Sequence, residues 1–270
     1  MSFSQLKKVL QAGKGHFSPF FMLGDPDPET SFEICAAAVR AGASMLELGI
    51  PFSDPVADGP VIQEACSRAM QSGTTVEVAF EIMARLRQCT EIPFNLLLYG
   101  NLIHARGIDE FIRRAREAGA SSILVPDIPL EEGGTLQEAC SAGDMGYVQL
   151  CGPGASDDRV RELAAGSSAF LYLVGHQGIT GARDSIQRET IEMVKRVTAA
   201  SPVPVCVGFG LKEPEHVRSI LASGARIAIV GSALVEKIDA GKNEDPRAVV
   251  AAIEEEVGRL AAAATVVERN

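Results

Sequence analysis

The sequence predicts a (β/α)8 barrel, in which eight parallel strands close into a cylinder surrounded by helices. Short apolar runs alternate eight times with segments of helical periodicity along the 270 residues. Such alternation favours parallel strands, because each helix returns the chain to the same edge of the sheet. The two longest connections follow strands at the end where barrels of this class carry their active sites. A doubly wound open sheet is the competing fold, and it usually has fewer strands.

The apolar runs and the periodic segments define the expected elements in order. The strands are predicted at 17–23, 44–50, 93–99, 121–126, 147–151, 169–174, 204–208 and 226–231. The helices between them are predicted at 28–41, 76–89, 108–118, 131–142, 158–164, 188–199, 213–222 and 246–263. Further helices are expected at the amphipathic N-terminus and, after the second and eighth strands, at 60–71 and 233–238. No break in composition divides residues 1–270, which predicts one barrel domain.

Three helix ends repeat one pattern, with a glycine between the helix and the following strand. These glycines are Gly42, Gly119 and Gly224. Glycine at this position supplies the left-handed conformation that ends a helix. The pattern therefore supports the repeat and indicates architecture rather than chemistry.

Composition excludes several classes of function. The formal net charge is -10 and there is no basic run, which argues against nucleic acid or an anionic membrane as the main partner. No apolar run has the length of a membrane span, and the N-terminus lacks the apolar core of a signal peptide. The six cysteines are scattered without a CxxC pair, which favours a reduced, cytoplasmic protein. The four histidines are isolated, so no metal site is expected.

The segment 46–60 contains two acidic residues in different settings. Glu47 lies in an apolar strand on the face opposite Leu46 and Leu48, and it should point into the barrel near its mouth. Burial there should raise the pKa of Glu47 toward neutrality, as in a general acid or base. Asp58 follows on a proline-rich loop, where it should face solvent, stay ionised, and accept a proton or orient an N–H donor. The alternative is a structural buried glutamate beside turn-forming aspartates.

Glycine-rich turns after the seventh and eighth strands predict a phosphate site. Gly210 lies in the first turn, while Gly231 and Ser232 open a short apolar helix in the second. Barrels commonly bind phosphate with these two loops and the N-terminus of a short extra helix. Gly181, in the loop after the sixth strand, is a third candidate. The alternative is that these glycines only make turns.

Aromatic residues near strand ends are the remaining candidates. Phe21, Tyr99 and Phe209 are candidates for an aromatic-lined pocket, and Tyr172 for a hydrogen bond to Glu47 or to a substrate hydroxyl. A core position is an equal alternative for Tyr172, and each of the other three, taken alone, is more often a core residue. No strand contains a lysine that could form a Schiff base, and no glycine-rich nucleotide motif is present. The residues alone therefore predict acid–base chemistry on a phosphorylated small molecule without a cofactor in this chain.

Six segments of the sequence form a specific pattern: LELGIPFSDP at 46–55 and ADGP at 57–60, with LGDP at 23–26, GITG at 178–181, GFG at 208–210 and GSA at 231–233. In these segments the chain resembles the tryptophan synthase alpha chain family. The match is collinear over nearly the whole chain. It departs from many relatives at 175–178, which reads GHQG, and at 151–153, which reads CGP. These departures concern loop closure and subunit signalling rather than the central chemistry.

The resemblance implies retro-aldol cleavage of indole-3-glycerol phosphate to indole and glyceraldehyde 3-phosphate. It implies that Glu47 protonates indole C3 and assists removal of the hydroxyl proton, that Asp58 contacts the indole N–H, and that Tyr172 lies beside Glu47. It implies that the loop glycines and Ser232 hold the phosphate, and that the mobile loop with Thr180 folds over the substrate and contacts Asp58.

The resemblance also implies a partner, a beta subunit that binds pyridoxal phosphate and receives indole through a tunnel in an alpha-beta-beta-alpha complex. The loop at 54–60 and the loop after the sixth strand would couple the two subunits. Two alternatives stay open. One is a stand-alone indole-releasing lyase or another phosphate-binding barrel, and the other is a barrel that only activates a partner.

Overall fold

A computed structural model describes residues 3–11, 15–175, 186, 188–208 and 210–265. In these residues eight parallel strands close into a barrel in chain order, β1 beside β2 and so on until β8 returns to β1. The strands are β1 His16–Met22, β2 Leu46–Gly49, β3 Phe94–Leu97, β4 Ser122–Leu124, β5 Gly146–Cys151, β6 Leu171–Leu173, β7 Val205–Val207 and β8 Ile227–Val230. The predicted (β/α)8 barrel is therefore confirmed.

Twelve helices are found in the described residues, and most of them surround the barrel. They are α1 Phe3–Gln11, α2 Pro28–Arg40, α3 Pro60–Gln71, α4 Val76–Cys89, α5 Gly100–His104, α6 Ile108–Glu117, α7 Gly134–Ala142, α8 Asp157–Ala165, α9 Arg188–Ala200, α10 Pro214–Ala222, α11 Ser232–Gly241 and α12 Pro246–Thr265. The expected extra helices after the second and eighth strands are α3 and α11. None of the twelve is both long and apolar enough to cross a membrane.

Two differences from the predicted elements have local causes. The short helix α5 is absent from the prediction, because its five residues are too few to show a helical period. Helix α7 begins at Gly134 rather than at residue 131, because residues 129–133 form two turns. The predicted glycine caps are confirmed, since Gly42, Gly119 and Gly224 have φ values of 101°, 105° and 111°.

The apolar side chains form two layers. The larger layer lies between the strands and the outer helices and includes Leu46, Leu48 and Ile50 from β2 and the residue after it. The smaller layer fills the barrel and includes Phe20 and Tyr172. Residues that alternate along a strand belong to different layers, which is the period-two pattern of a pleated strand.

Helix α1 closes the end of the barrel opposite the strand C-termini. Its buried residues Leu6 and Leu10 belong to the inner apolar layer. His16 Nε2 donates a hydrogen bond to the Val9 carbonyl at 3.1 Å, which fixes the helix against the start of β1. With this end covered, the inner layer is open to a ligand at the carboxyl ends of the strands.

Helices α3 and α11 are joined by one arginine. Arg68 on α3 pairs with Asp25 at 2.8 Å and with Asp239 on α11 at 2.7 Å. Asp25 follows β1 and is buried, so the arginine links three segments that surround the barrel mouth. A charge-assisted pair of this kind costs free energy to break when one partner is buried. The helix that follows Asp58 is thereby fixed against the helix that starts at Ser232.

Candidate active site

The side chain of Glu47 lies inside the barrel. It is 1% exposed on β2, where its neighbours Leu46 and Leu48 pack outward against the helices. Tyr172 donates a hydrogen bond to its Oε2 at 3.1 Å, and Asn95 donates one to its Oε1 at 2.9 Å. The carboxyl group is therefore held by two neutral donors and is not paired with a cation in the described residues.

Burial raises the pKa of Glu47 to about 7. Removal from water disfavours the charged carboxylate, while the hydrogen bonds from Asn95 and Tyr172 favour it and limit the rise. The nearby charge of Asp58 adds a further rise. A carboxyl with this pKa can give and take a proton near neutral pH, which is the requirement for a general acid or base.

Tyr172 fits beside Glu47 because residue 208 is a glycine. A Cβ atom at Gly208, which follows β7, would overlap the Tyr172 hydroxyl. Burial raises the pKa of Tyr172 well above its ordinary value, and the charge of Glu47 adds to the rise. The phenol therefore stays protonated and acts as a donor to the carboxyl group.

The loop after β2 is anchored by Tyr99. Its hydroxyl donates to Asp58 Oδ2 at 2.8 Å and accepts from the Ala57 N–H at 3.0 Å, while its ring stacks on Phe52 with 5.3 Å between centroids. Gln63 Nε2 donates to the Asp58 carbonyl at 2.9 Å. Four contacts thus fix a segment that lacks regular structure.

Asp58 is half-buried rather than facing open solvent as the sequence predicts. Burial raises the pKa of its carboxyl, and the hydrogen bond from Tyr99 opposes that rise. The loop folds back toward the barrel mouth, which accounts for the burial. Asp58 is thereby brought to the same opening as Glu47.

One cavity at the carboxyl ends of the strands contains both acidic side chains. The lining residues are Phe20, Glu47, Asp58, Ile62, Leu97, Tyr172, Gly208, Gly210, Leu211, Lys212, Ile229, Gly231, Ser232 and Ala233. The walls combine apolar side chains with a few polar groups, which is typical of small-molecule sites. The structure thus brings together six of the residues predicted from sequence: Glu47, Asp58, Tyr172, Gly210, Gly231 and Ser232.

The N-terminus of α11 faces this cavity through Ser232 and Ala233. The first N–H groups of a helix have no partner within the helix, and the helix dipole places partial positive charge there. Gly210 lies beside them at the cavity edge. This combination suits a phosphate group. Gly181 and Thr180 lie outside the described residues.

The predicted aromatic pocket differs from the structure. Phe21 packs in the outer layer against the helices, and its neighbour Phe20 lines the cavity instead. All seven residues of β1 are buried, so the sequence shows no alternation that would tell the two faces apart. Tyr99 holds the Asp58 loop and is not among the lining residues. Phe209 lies outside the described residues.

Two polar residues of the site, Asn95 and Lys212, are absent from the sequence-based prediction. Asn95 was detectable from the sequence, because it is a polar residue within the apolar run 94–98, as Glu47 is within the previous strand. Lys212, the only basic side chain among the lining residues that the structure describes, gives no such signal, since an exposed lysine is ordinary. Asp127, which follows β4, accepts hydrogen bonds from the Gly100 N–H at the start of α5. Within the described residues, His, Cys, Asp and Glu side chains form no group of three that could hold a metal ion.

The fold and the cavity define a class of protein, the (β/α)8 barrels with acidic side chains and a helix N-terminus at the carboxyl ends of the strands. Comparison with known proteins specifies the family. The family model described as tryptophan synthase alpha chain matches residues 6–265. The chain belongs to the tryptophan synthase alpha chain family.

Curated relatives and solved structures agree with this assignment. The chain is 45% identical to the tryptophan synthase alpha chain of Methanothermobacter thermautotrophicus, over 92% of this chain and 91% of the relative. It is 41% identical to that of Cronobacter sakazakii, over 90% and 91%. A chain from the a2b2 tryptophan synthase complex of Pyrococcus furiosus superposes with a TM-score of 0.86 at 33% identity, over 92% of this chain and 98% of that chain.

Proposed function

We propose that this protein cleaves indole-3-glycerol phosphate to indole and glyceraldehyde 3-phosphate, and is thus a carbon–carbon lyase. The single observation that carries the proposal is that Glu47, buried and with a pKa of about 7, opens into the same cavity as Asp58 and the N-terminus of α11. The reaction needs a group that donates and accepts protons, a group that contacts the indole nitrogen, and a phosphate site.

The proposed substrate orientation follows from the chemistry of the cavity ends. The phosphate lies at Gly210 and Ser232, where helix and loop N–H groups favour an anion. The indole ring lies among the apolar residues Phe20, Leu97 and Ile229, with its N–H toward Asp58. Its C3 atom then lies beside Glu47, whose side chain points into the barrel from β2.

In the proposed cleavage, Glu47 donates one proton and removes one proton, and no cofactor in this chain is needed. Protonated Glu47 gives its proton to indole C3, and Asp58 stabilises the positive charge that develops at the ring nitrogen. Glu47, now ionised, removes the proton from the hydroxyl on the carbon bonded to C3. The oxygen electrons form the aldehyde, the C–C bond breaks, and its electrons return to the indole ring. Glu47 ends in its starting protonation state.

The proposal assigns Tyr172 the role of holding the carboxyl group. Its phenol donates to Glu47 Oε2, and its high pKa keeps the proton on the phenol. The hydrogen bond is stronger to an ionised carboxylate than to the neutral acid. Tyr172 therefore stabilises the form of Glu47 that follows protonation of C3.

The proposed partner is a tryptophan synthase beta subunit with bound pyridoxal phosphate, in an alpha-beta-beta-alpha complex. The Pyrococcus furiosus relative is a chain of an a2b2 complex. Val56, two residues before Asp58 in the loop before α3, is 79% exposed. Its side chain is available for a contact with the partner. We place the complex in the cytoplasm, which suits the six unpaired cysteines.

The test measures indole release from indole-3-glycerol phosphate by the purified chain, alone and with beta subunit. The proposal expects slow release alone and much faster release with the partner. High rates without partner would indicate a stand-alone lyase. No indole under either condition, with beta activity still increased, would indicate that the barrel acts only as an activator.

A further inference from the structure

Strand β3 places an amide side chain inside the barrel. Asn95 is fully buried, as is Ser122 on the neighbouring strand β4. A buried amide or hydroxyl costs free energy unless its hydrogen bonds are made. Such residues in an apolar interior therefore need a structural or functional reason.

The reason is visible in the strand register. Glu47 on β2 is aligned with Asn95, and Asn95 is aligned with Ser122. Ser122 Oγ donates to Asn95 Oδ1 at 2.7 Å, and Asn95 Nδ2 donates to Glu47 Oε1 at 2.9 Å. The three side chains form one chain of hydrogen bonds across three adjacent strands, directed at the carboxyl group.

We propose that Asn95 is a positioning residue for Glu47, and that Ser122 holds Asn95 in the orientation that makes this possible. The inference rests on the proposed function, since it concerns the acid that would move the protons. Asn95 itself acts through Glu47, and it is not among the residues that line the cavity.

Two consequences follow from the direction of the bonds. With Oδ1 occupied by Ser122, the amide turns its N–H donors toward Glu47 and fixes the plane of the carboxyl group. A donor also stabilises the ionised carboxylate more than the neutral acid, so Asn95 opposes the effect of burial. Without Asn95, the carboxyl would hold its proton to higher pH and would be a weaker acid.

The experiment replaces the donor with an apolar side chain of similar shape in Asn95→Leu. The carboxyl titration of Glu47 is followed by NMR of protein labelled with ¹³C-glutamate, with Glu47→Gln used to assign the signal. We expect the titration midpoint to move upward by about one pH unit, the size expected for a lost hydrogen bond to a charged group. The limb of the kcat/KM pH profile that belongs to Glu47 should move in the same direction.

A matched pair of serine variants tests the second step. Ser122→Ala should move the Glu47 midpoint upward by less than Asn95→Leu, because the amide remains but is no longer held. Ser18→Ala removes an equally buried hydroxyl from β1 that has no hydrogen-bond partner in the described residues. It should leave the midpoint unchanged.

An unchanged Glu47 midpoint in Asn95→Leu would overturn the inference. Equal shifts of the Glu47 titration midpoint in Ser122→Ala and Ser18→Ala would overturn the role of Ser122. If Asn95→Leu does not fold, the comparison of these two serine variants tests the inference. Absence of indole formation by the wild-type complex would instead contradict the proposed function, and the titration of Glu47 would still test the effect of Asn95.

Discussion

At the scale of single residues, the site depends on a balance at Glu47. Burial favours the neutral acid, while two neutral donors, Asn95 and Tyr172, favour the carboxylate. An ion pair in place of these donors would keep the carboxyl ionised and remove its ability to donate a proton. The choice of amide and phenol partners leaves the pKa near the pH of the cell.

Replacing Glu47 by glutamine should lower kcat for indole formation by about 10²–10⁴-fold, because the amide cannot exchange a proton. The size and hydrogen bonding of the side chain are nearly kept, so the fold should be retained, as circular dichroism would show. Near-normal turnover in Glu47→Gln would mean that another group moves the protons.

Asp58→Asn should lower kcat by about 10²-fold or more, because the amide carries no charge to stabilise the developing positive charge on the indole ring. Asparagine can still accept the hydrogen bond from Tyr99, so the loop should keep its place. The rate is measured in the complex with beta subunit. A rate equal to that of the wild type would exclude Asp58 from the reaction.

Lys212 is the only cation among the lining residues, and in the described residues it takes part in no ion pair. Lys212→Gln should raise KM for the phosphorylated substrate about three- to tenfold with little change in kcat, since a partly exposed ion pair contributes modestly. Lys195→Gln is the matched control, because Lys195 is exposed on α9 and pairs with Glu192. Equal effects of the two variants would indicate only a change of net charge.

At the scale of elements, strands and loops differ in what their sequence reveals. Period-two alternation in β2 indicates that Glu47 points opposite to Leu46 and Leu48, and the structure agrees. The seven residues of β1 are buried on both faces, so alternation cannot separate Phe20 from Phe21. A strand that is buried on both faces does not show the direction of each side chain by alternation.

The position of the Asp58 loop could not be predicted from local sequence. Its anchor is the Tyr99 hydroxyl, which lies 41 residues further along the chain from Asp58. Parallel pairing of β3 with β2 brings the ends of these two strands together. Contacts of this range have no signal in composition or periodicity, which is why Asp58 was expected to face solvent.

Tyr99→Phe should raise the pKa of Asp58, because it removes the hydrogen bond that lowers that pKa. It should also reduce kcat by about tenfold, since two of the four contacts that fix the loop are lost. Tyr147→Phe is the matched control, because Tyr147 is buried in the outer layer and removed from the cavity. A normal rate in Tyr99→Phe would mean that the loop is held by other contacts.

At the scale of the whole molecule, the barrel was predictable because the alternation of an apolar strand and an amphipathic helix occurs eight times in the sequence. The lengths of the strands were not predictable, because several neighbouring strands pair over only two or three residues. Closure then places the ends of β2, β6, β7 and β8 around one opening. The site is therefore a property of the closed sheet rather than of any one segment.

The raised pKa of Glu47 predicts how stability depends on pH. Between the ordinary value of 4.5 and the folded value of about 7, the folded state holds a proton that the unfolded state has lost. This group therefore lowers the free energy of unfolding as pH rises through that window, by up to about 3 kcal/mol in total. Glu47→Gln should gain stability relative to wild type between pH 5 and pH 8, as urea unfolding at both values would show. An equal difference at both pH values would contradict the assigned pKa.

The most direct test of the central claim is a crystal structure with indole-3-propanol phosphate, an analogue that lacks the hydroxyl group needed for cleavage. The account predicts phosphate at Gly210 and Ser232, the indole nitrogen about 2.7–3.2 Å from the Asp58 carboxylate, and indole C3 beside Glu47. An analogue bound with its phosphate elsewhere, or with its ring in contact with neither carboxyl group, would contradict the account.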